Sequence, residues 1–541
     1  MKKTAIYLSI LILLITKLCF AQSTSITPGG AELLNNTNSE VLTIPKLTNQ
    51  SILAIQTPKA GSLVYDIDSK CIRVYNGAMW ICLTDMGSIP FQLPQKLSTK
   101  IIGSSQTGPQ TAGVIVINAV SVDNIGNFYL AGRISGCYSS PISVCSNYSS
   151  NLYPLATGII LKITSSGVFK WATTVTGLPI TGPYPDNGFN SEVSDLIIKN
   201  DKLYLVGNYS KSISWQNNTI ISNGDRDIFI AKMDTSKSLS WIKNIGGNLD
   251  EYSCNISMDE NSNIIIAGAF KSNPLIINTG NSPISILNSG GYDIFITKFD
   301  TNGNLLSGTK IGGTNDDLPK SLIYESSNFY LTGTFIGNFA GGAYTFTSTG
   351  GKDIFIIKFN STLSISGGNR IFGTSNNDEI IPYEIKYFNG RLYICGNYKG
   401  SINFGDKLIN STDFNSFLGS FYFSDSPLFI NYLQTVSFSS SFSSITANNT
   451  DIFASGNYKN TAMTMGIPLQ SQGSTDIILF KIGKEDNFNS NNYLFSGYTT
   501  YGTGAVETAF KTISYNGKVY IFGSGQFTLN SRQEFLYMWT Y

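Results

Sequence analysis

Residues 290–317 read GGYDIFITKFDTNGNLLSGTKIGGTNDD. An unbroken apolar run, DIFITKF, leads to a turn at Asn302 and Gly303, a mixed run, NLLSGTKI, and a corner built from Gly312, Gly313, Asp316 and Asp317. Short runs rich in Ile and Phe, bounded by Gly, Asn and Asp, are strands, so the phrase predicts two antiparallel strands and a tight turn. It recurs along the chain, closely at 224–250 (GDRDIFIAKMDTSKSLSWIKNIGGNLD) and more loosely elsewhere.

A second phrase runs in step with the first. NFYLAG, KLYLVG, NIIIAG, NFYLTG, RLYICG, DIFASG and KVYIFG end at Gly132, Gly207, Gly268, Gly333, Gly396, Gly456 and Gly523, spaced from 60 (396 to 456) to 75 residues (132 to 207). The seven copies divide the chain into repeats that each read as four strands. The second and third strands are apolar at consecutive positions, which in an antiparallel sheet means that both faces are covered. The fourth mixes polar and apolar residues, as an edge does. Sheets stacked face to face around an axis satisfy both patterns, so the sequence predicts an all-β chain folded as a seven-bladed β-propeller.

The ends of the repeat array predict how the ring closes. The seventh repeat stops at Tyr541 without a fourth strand, while LSTKIIGSS at 97–105 precedes the first repeat and has no repeat of its own. Laid beside the last strand, it completes the seventh sheet and removes an open edge. The phrases quoted resemble the bacterial β-propeller repeat family called SBBP repeats, over about 97–541. Repeats five and seven depart from its pattern, and repeat six lacks the Gly-Gly corner. The resemblance implies an extracytoplasmic propeller and brings no catalytic motif with it.

The expected organisation is a signal peptide at 1–21, an extended segment with a small β-module and linker at 22–94, and the propeller at 95–541. Lys2 and Lys3, an apolar stretch and Ala21 before Gln22 make the export signal, so the chain is expected in the periplasm, on the outer surface or outside the cell. No other stretch is long and apolar enough to span a membrane as a helix. In the small module a two-residue hairpin at Asn76 and Gly77 would set Cys71 opposite Cys82 and let Arg73 face Trp80. Cys137 and Cys145 could close a second small ring, and Cys254 and Cys395 read as buried free thiols.

Charge is balanced, with 36 basic against 35 acidic residues and no basic stripe, so nucleic acid is not an expected partner. Histidine is absent from all 541 residues, which removes imidazole bases and ligands and leaves carboxylates, Tyr, Lys and Cys for any chemistry. Loops from the fourth strand to the next first strand, and from second to third strand, leave the same face. Asp250, Glu251, Asp316, Asp317, Asp378 and Glu379 therefore gather at one mouth of the axis, where like charges invite Ca2+, the one candidate cofactor. The reading preferred here is plainer: the Gly-Gly corner is tight and its acids cap backbone amides. The recurring Asp and Lys of the third strands, as in Asp227 and Lys232, face opposite ways and suit bonds between blades.

Asymmetry identifies a site better than repetition. Repeat one carries two long insertions, 134–157 and 175–192, with Tyr138, Tyr148, Tyr153, Tyr184 and Phe189 among Asn and Ser. Such aromatics bind a glycan or protein ligand or pack on themselves, and the two readings weigh equally. No acid pair is singled out by insertion or apolar enclosure, so the sequence names no catalytic residue. It predicts a non-enzymatic binding or adhesion protein that recognises a cell-surface glycan or protein through these loops. The alternatives are a carboxylate-dependent glycan hydrolase or lyase and a structural part of a surface assembly.

Overall fold

The computed structural model describes residues 32–541 apart from short interruptions and the longer stretches 83–97, 105–113, 146–155, 178–189, 424–429, 484–494 and 527–533. The expected signal peptide lies outside the described residues. The chain forms two compact units, Met1–Phe91 and Gln92–Tyr541.

In the N-terminal unit, Lys46–Leu47 pairs in parallel with Leu63–Asp66, which continues antiparallel into Cys71–Tyr75 and Trp80–Cys82. One short helix, Asn49–Leu53, is capped by Thr48, whose hydroxyl accepts from the Ser51 N–H. The expected hairpin register is corrected here. The last two strands close on Tyr75 opposite Trp80, so Cys82 faces Arg73 and Cys71 faces Asp66. The turn is two residues longer than Asn76 and Gly77 alone would make it, which shifts every partner across the hairpin. Arg73 accordingly binds the buried Asp66 carboxylate at 2.7 Å, and the aromatic neighbour of Trp80 is Tyr75, with ring centroids 5.5 Å apart.

The C-terminal unit is all β in its described residues. Each repeat is a four-stranded antiparallel sheet taken in chain order, shown in repeat three by Glu251–Met258, Ile264–Phe270, Asp293–Phe299 and Leu305–Ile311. The seventh sheet obtains its fourth strand from the other end of the sequence. Ser98–Ser104 pairs with Glu534–Thr540, setting Lys100 opposite Tyr537. The first strands are Val114–Val122, Ser191–Lys199, Glu251–Met258, Leu318–Glu325, Glu379–Phe388, Ser440–Ala447 and Glu507–Tyr515. Each touches the next, and the last touches the first, so they form a closed circuit.

The landmark glycines owe their place to a β-bulge. In every repeat the glycine stands opposite the residue just before a one-residue register shift in the first strand, as with Gly207 opposite Val193, after which Val206 pairs with Asp195. The same shift follows Ile117, Ser253, Pro319, Pro382, Phe442 and Ala509. The bulged strand bends toward its partner, so a Cβ at Gly207 would run into the Glu192 carbonyl oxygen, and one at Gly333 into that of Leu318. The DIFI phenylalanine uses the space the glycine leaves: Phe229, Phe295, Phe355 and Phe417 lie directly opposite Gly207, Gly268, Gly333 and Gly396. One motif thus makes the bulge and the other packs on it.

Neighbouring sheets share fully buried apolar clusters, such as Val206, Ile228 and Ile230 of repeat two with Ile264, Ile266, Phe270 and Phe295 of repeat three. Burying such side chains contributes about 1.5–3 kcal/mol each before entropy is counted. The recurring lysines join sheets, since Lys232 Nζ donates to the Thr301 carbonyl at 3.0 Å and Lys298 Nζ to the Ser361 carbonyl at 2.8 Å, each in the following repeat.

Candidate functional site

The bulge also decides which residue enters the axis. The residue following the shift is Ala119, Asp195, Asn255, Ser321, Glu384, Ser444 or Lys511 in repeats one to seven, one structural position filled by six residue types. These residues and those just after them in the first strands surround a cavity of about 390 Å³, which Thr446 lines for repeat six.

Three of the seven positions are charged, and they interact. Lys511 Nζ lies 3.6 Å from Glu384 Oε1, with side chains 20% and 13% exposed, and Lys386 Nζ lies 3.8 Å from the same oxygen. Glu384 Oε2 accepts from the Ser444 hydroxyl at 2.7 Å and the Ile445 N–H at 2.6 Å. Asp195 Oδ2 accepts from the Asn255 amide and the Ile256 N–H, both at 3.0 Å, and Oδ1 from its neighbour Leu196.

Their proton affinities separate. Burial pushes the Asp195 carboxyl above the usual carboxylate range, more than its hydrogen bonds and the field of Lys511 pull it down. Burial would do the same to Glu384, yet Lys511, Lys386 and the Ile445 and Ser444 donors hold it below that range. Burial works against the Lys511 ammonium, but Glu384 and Asp195 more than offset this and raise it. One carboxyl shifted toward its protonated form and one toward its ionised form therefore share a cavity and a cation, the environment-set division that acid–base pairs require. The same residues also stitch neighbouring first strands: Ser321 Oγ accepts from the Ile385 N–H and Ser444 Oγ from the Thr512 N–H.

None of these three charged residues was singled out in the sequence. A signal was present: the axial residue lies twelve or thirteen positions before each landmark glycine, and only repeats two, five and seven place a charge there.

The corner acids sit elsewhere, and none lines the axial cavity. Glu251 is fully buried, accepting from the Gly247 N–H at 2.8 Å and the Ser272 N–H at 3.2 Å. Asp317 accepts from the Gly313 N–H at 2.6 Å, and Asp378 from the Thr374 and Ser375 N–H groups at 2.8 Å. Asp316 Oδ1 accepts from the Tyr292 N–H at 3.0 Å, Asp250 lies 3.4 Å from the Tyr292 hydroxyl, and Glu379 pairs with Lys352 at 3.5 Å. Burial pushes Glu251 up to about 7 and Asp317 to about 8, the latter with help from the facing Asp293. Among the described residues no group of three or more carboxylate or Cys side chains is placed to hold a metal ion.

Of the insertion residues, Tyr148, Tyr153, Tyr184 and Phe189 lie outside the described residues. Tyr138 lies in the strand Cys137–Ser140, whose register sets Cys137 opposite Cys145. Cys395 is a buried free thiol whose pKa burial drives up, so it is a packing residue.

A family model described as a phage tail like trimerisation region matches residues 24–101. An uncharacterized WD repeat-containing protein of Acanthamoeba polyphaga mimivirus is 24% identical over 277 residues, 42% of this chain and 19% of that protein, so the chain spans about a fifth of the relative's length. Among solved structures, the chain is similar to a neuraminidase-like protein of A/little yellow-shouldered bat/Guatemala (9% identity, 82% of this chain and 98% of that one, TM-score 0.34). It is also similar to Trypanosoma rangeli sialidase in complex with sialic acid (9%, 83% and 58%, TM-score 0.33). A third is a GH43 protein from Bacillus licheniformis (8%, 79% and 94%, TM-score 0.27).

The expectation of a non-enzymatic adhesion protein is corrected. The ground for that expectation was that no acid pair is enclosed and distinguished from its copies. Asp195 and Glu384 are such a pair, and the repeat arithmetic concealed them.

Proposed function

We propose that the C-terminal unit is an exported seven-bladed β-propeller of the SBBP-repeat type whose axial cavity hydrolyses a glycosidic bond with Asp195 and Glu384. The observation that carries this reading is the opposite displacement of two carboxyls held against one lysine in a ligand-sized cavity. Asp195, whose hold on a proton burial strengthens, gives its proton to the leaving oxygen as the glycosidic C–O bond breaks. Glu384, kept ionised by Lys511 and Lys386, removes the proton of the water whose oxygen bonds to the anomeric carbon. Lys511 favours the ionised form of Glu384 without touching the reacting bond.

The test is release of new reducing ends from a panel of defined oligosaccharides. The account expects turnover on at least one by the full chain and loss of it in Glu384→Gln, which keeps an oxygen for the Ile445 N–H and so preserves the stitch between strands. Turnover that survives Glu384→Gln would end the proposal, as would a panel with no turnover by the wild type.

A second reading concerns assembly. The match of residues 24–101 to a phage tail like trimerisation region supports association of three copies through the N-terminal unit. Light scattering on the full chain tests it, with three chain masses expected and a single chain mass contradicting it.

A further inference from the structure

At five boundaries between sheets the outer strand of one repeat bonds through its backbone to the hairpin between second and third strands of the next. The pairing always uses the residue just past, or two past, the position of Ile245: Thr176 with Ser214, Gly312 with Ala340, Phe372 with Asn403, Ser437 with Met463, and Ser104 with Tyr138. Between repeats six and seven the hairpin lies outside the described residues. Between repeats two and three the pairing is missing: Gly246 has no partner in the hairpin Leu275–Ile277 and Ile284–Ile286, which forms a sheet of its own. Pro274, which has no N–H, stands directly before Leu275, the residue that would have to pair.

In place of the bridge there is a slot of about 800 Å³. Beside it Gly247 packs closely on the next repeat, where a Cβ would strike Ser272 and lie 3.2 Å from the Pro274 carbonyl oxygen. Lys243 Nζ donates to the Thr279 carbonyl at 2.9 Å. The slot has the size of a small-molecule site. Its polar side chains are the amides of Asn223, Asn244, Asn248, Asn273 and Asn278, with Lys243 and Thr279, and no carboxylate lines it. The Thr279 hydroxyl, on a residue 8% exposed, has no hydrogen-bond partner among the described residues. Pro274 and Ile276 supply an apolar patch.

We propose that this slot binds a neutral, hydroxyl-rich ligand of about one to three sugar rings. Asn223, Asn244 and Asn273 also hold bonds within the protein, so Asn248 and Asn278 are the amides that offer a ligand donor and acceptor together, matching hydroxyls that are both. The one cation already has a carbonyl partner, and with no carboxylate present the lining selects neither cations nor polyanions. Pro274 and Ile276 suit the C–H face of a sugar ring. The slot is separate from the axial cavity, and its occupancy does not depend on hydrolysis there.

The test titrates chitotriose, cellotriose and maltotriose separately into the full chain, read by calorimetry and ligand-observed NMR up to about 10 mM. Saturable binding of at least one is expected, weakened roughly tenfold or more in both Ile276→Trp and Asn248→Trp, which fill the slot from two exposed walls. Thermal melting confirms that each variant is folded. Absence of binding by all three sugars, binding undiminished in a folded variant, or displacement of the sugar by a Thr-Val hexapeptide would overturn the proposal.

Discussion

The first strand of each repeat carries polar residues at two places, and the two behave differently. At or just before its start acids recur: Glu251, Asp317 and Asp378 face Asp227, Asp293 and Asp353 of the preceding third strands, and Glu507 opens the first strand of repeat seven. They are buried, and those described in detail accept backbone N–H groups of the loops between sheets. A few residues on, just past the bulge, the charge does not repeat, and the position holds Ala, Asp, Asn, Ser, Glu or Lys according to the repeat. A residue that recurs from sheet to sheet serves what sheets share, which is to be joined to the next. A single reaction needs groups that occur once. Chemistry is therefore sought where the repeat is broken, at the axis and in the slot between repeats two and three.

The largest effect expected from breaking this contrast is at Glu384. Glu384→Gln should lower turnover roughly 10²–10⁴-fold while moving the melting temperature little, since the oxygen facing Ile445 is kept. The pH profile sharpens the same point: activity should persist below the usual carboxylate range, where Glu384 stays ionised, and fall on the alkaline side as Asp195 loses its proton. Lys511→Met should move the acid limb upward, because Glu384 loses its principal cation.

Next in size is a change at the bulge itself. Gly207→Ala puts a methyl group into the Glu192 carbonyl and the Phe229 ring, and should cost about 3 kcal/mol or more, measured by chemical denaturation. Such a loss would leave sugar specificity untouched in whatever fraction stays folded.

The corners predict a smaller, pH-dependent effect. Glu251 and Asp317 hold protons more tightly folded, at about 7 and about 8, than unfolded. Their contribution to stability is complete below the unfolded carboxylate range and is lost as pH rises through the folded values. Melting temperature should therefore fall between pH 5 and pH 9, and Asp317→Asn should flatten that fall by roughly 2–4 °C. The smallest effect belongs to Lys352→Ala, whose partner Glu379 is a corner acid at the surface. With side chains 42% and 34% exposed, the pair should contribute about 0.5 kcal/mol or less, and less still in high salt.

Much of the fold was legible because hydrophobic pattern and glycine spacing survive in all seven repeats, and the unmatched run around Lys100 could be assigned to Tyr541's sheet by its likeness to other fourth strands. The axial site was not legible for a specific reason. Alternation along VSDLIIK gives the facing of each side chain only if the strand is regular, and one inserted residue at Ser194 reverses it. Cys82 was misplaced by the same kind of error, a turn two residues longer than its Asn-Gly signal. The corner acids were visible as a motif because they repeat, and the attention they drew followed from repetition.

The account rests on Asp195 and Glu384 being shifted in opposite directions from the ordinary carboxylate range in one cavity. Carbon-13 NMR of the carboxyl groups, with Asp195→Asn and Glu384→Gln used to assign the two signals, measures this directly. The expected result is that Glu384 titrates below the usual carboxylate range and Asp195 above it, and that Lys511→Met raises both. Two signals that titrate together in the ordinary range, unmoved by Lys511→Met, would contradict it.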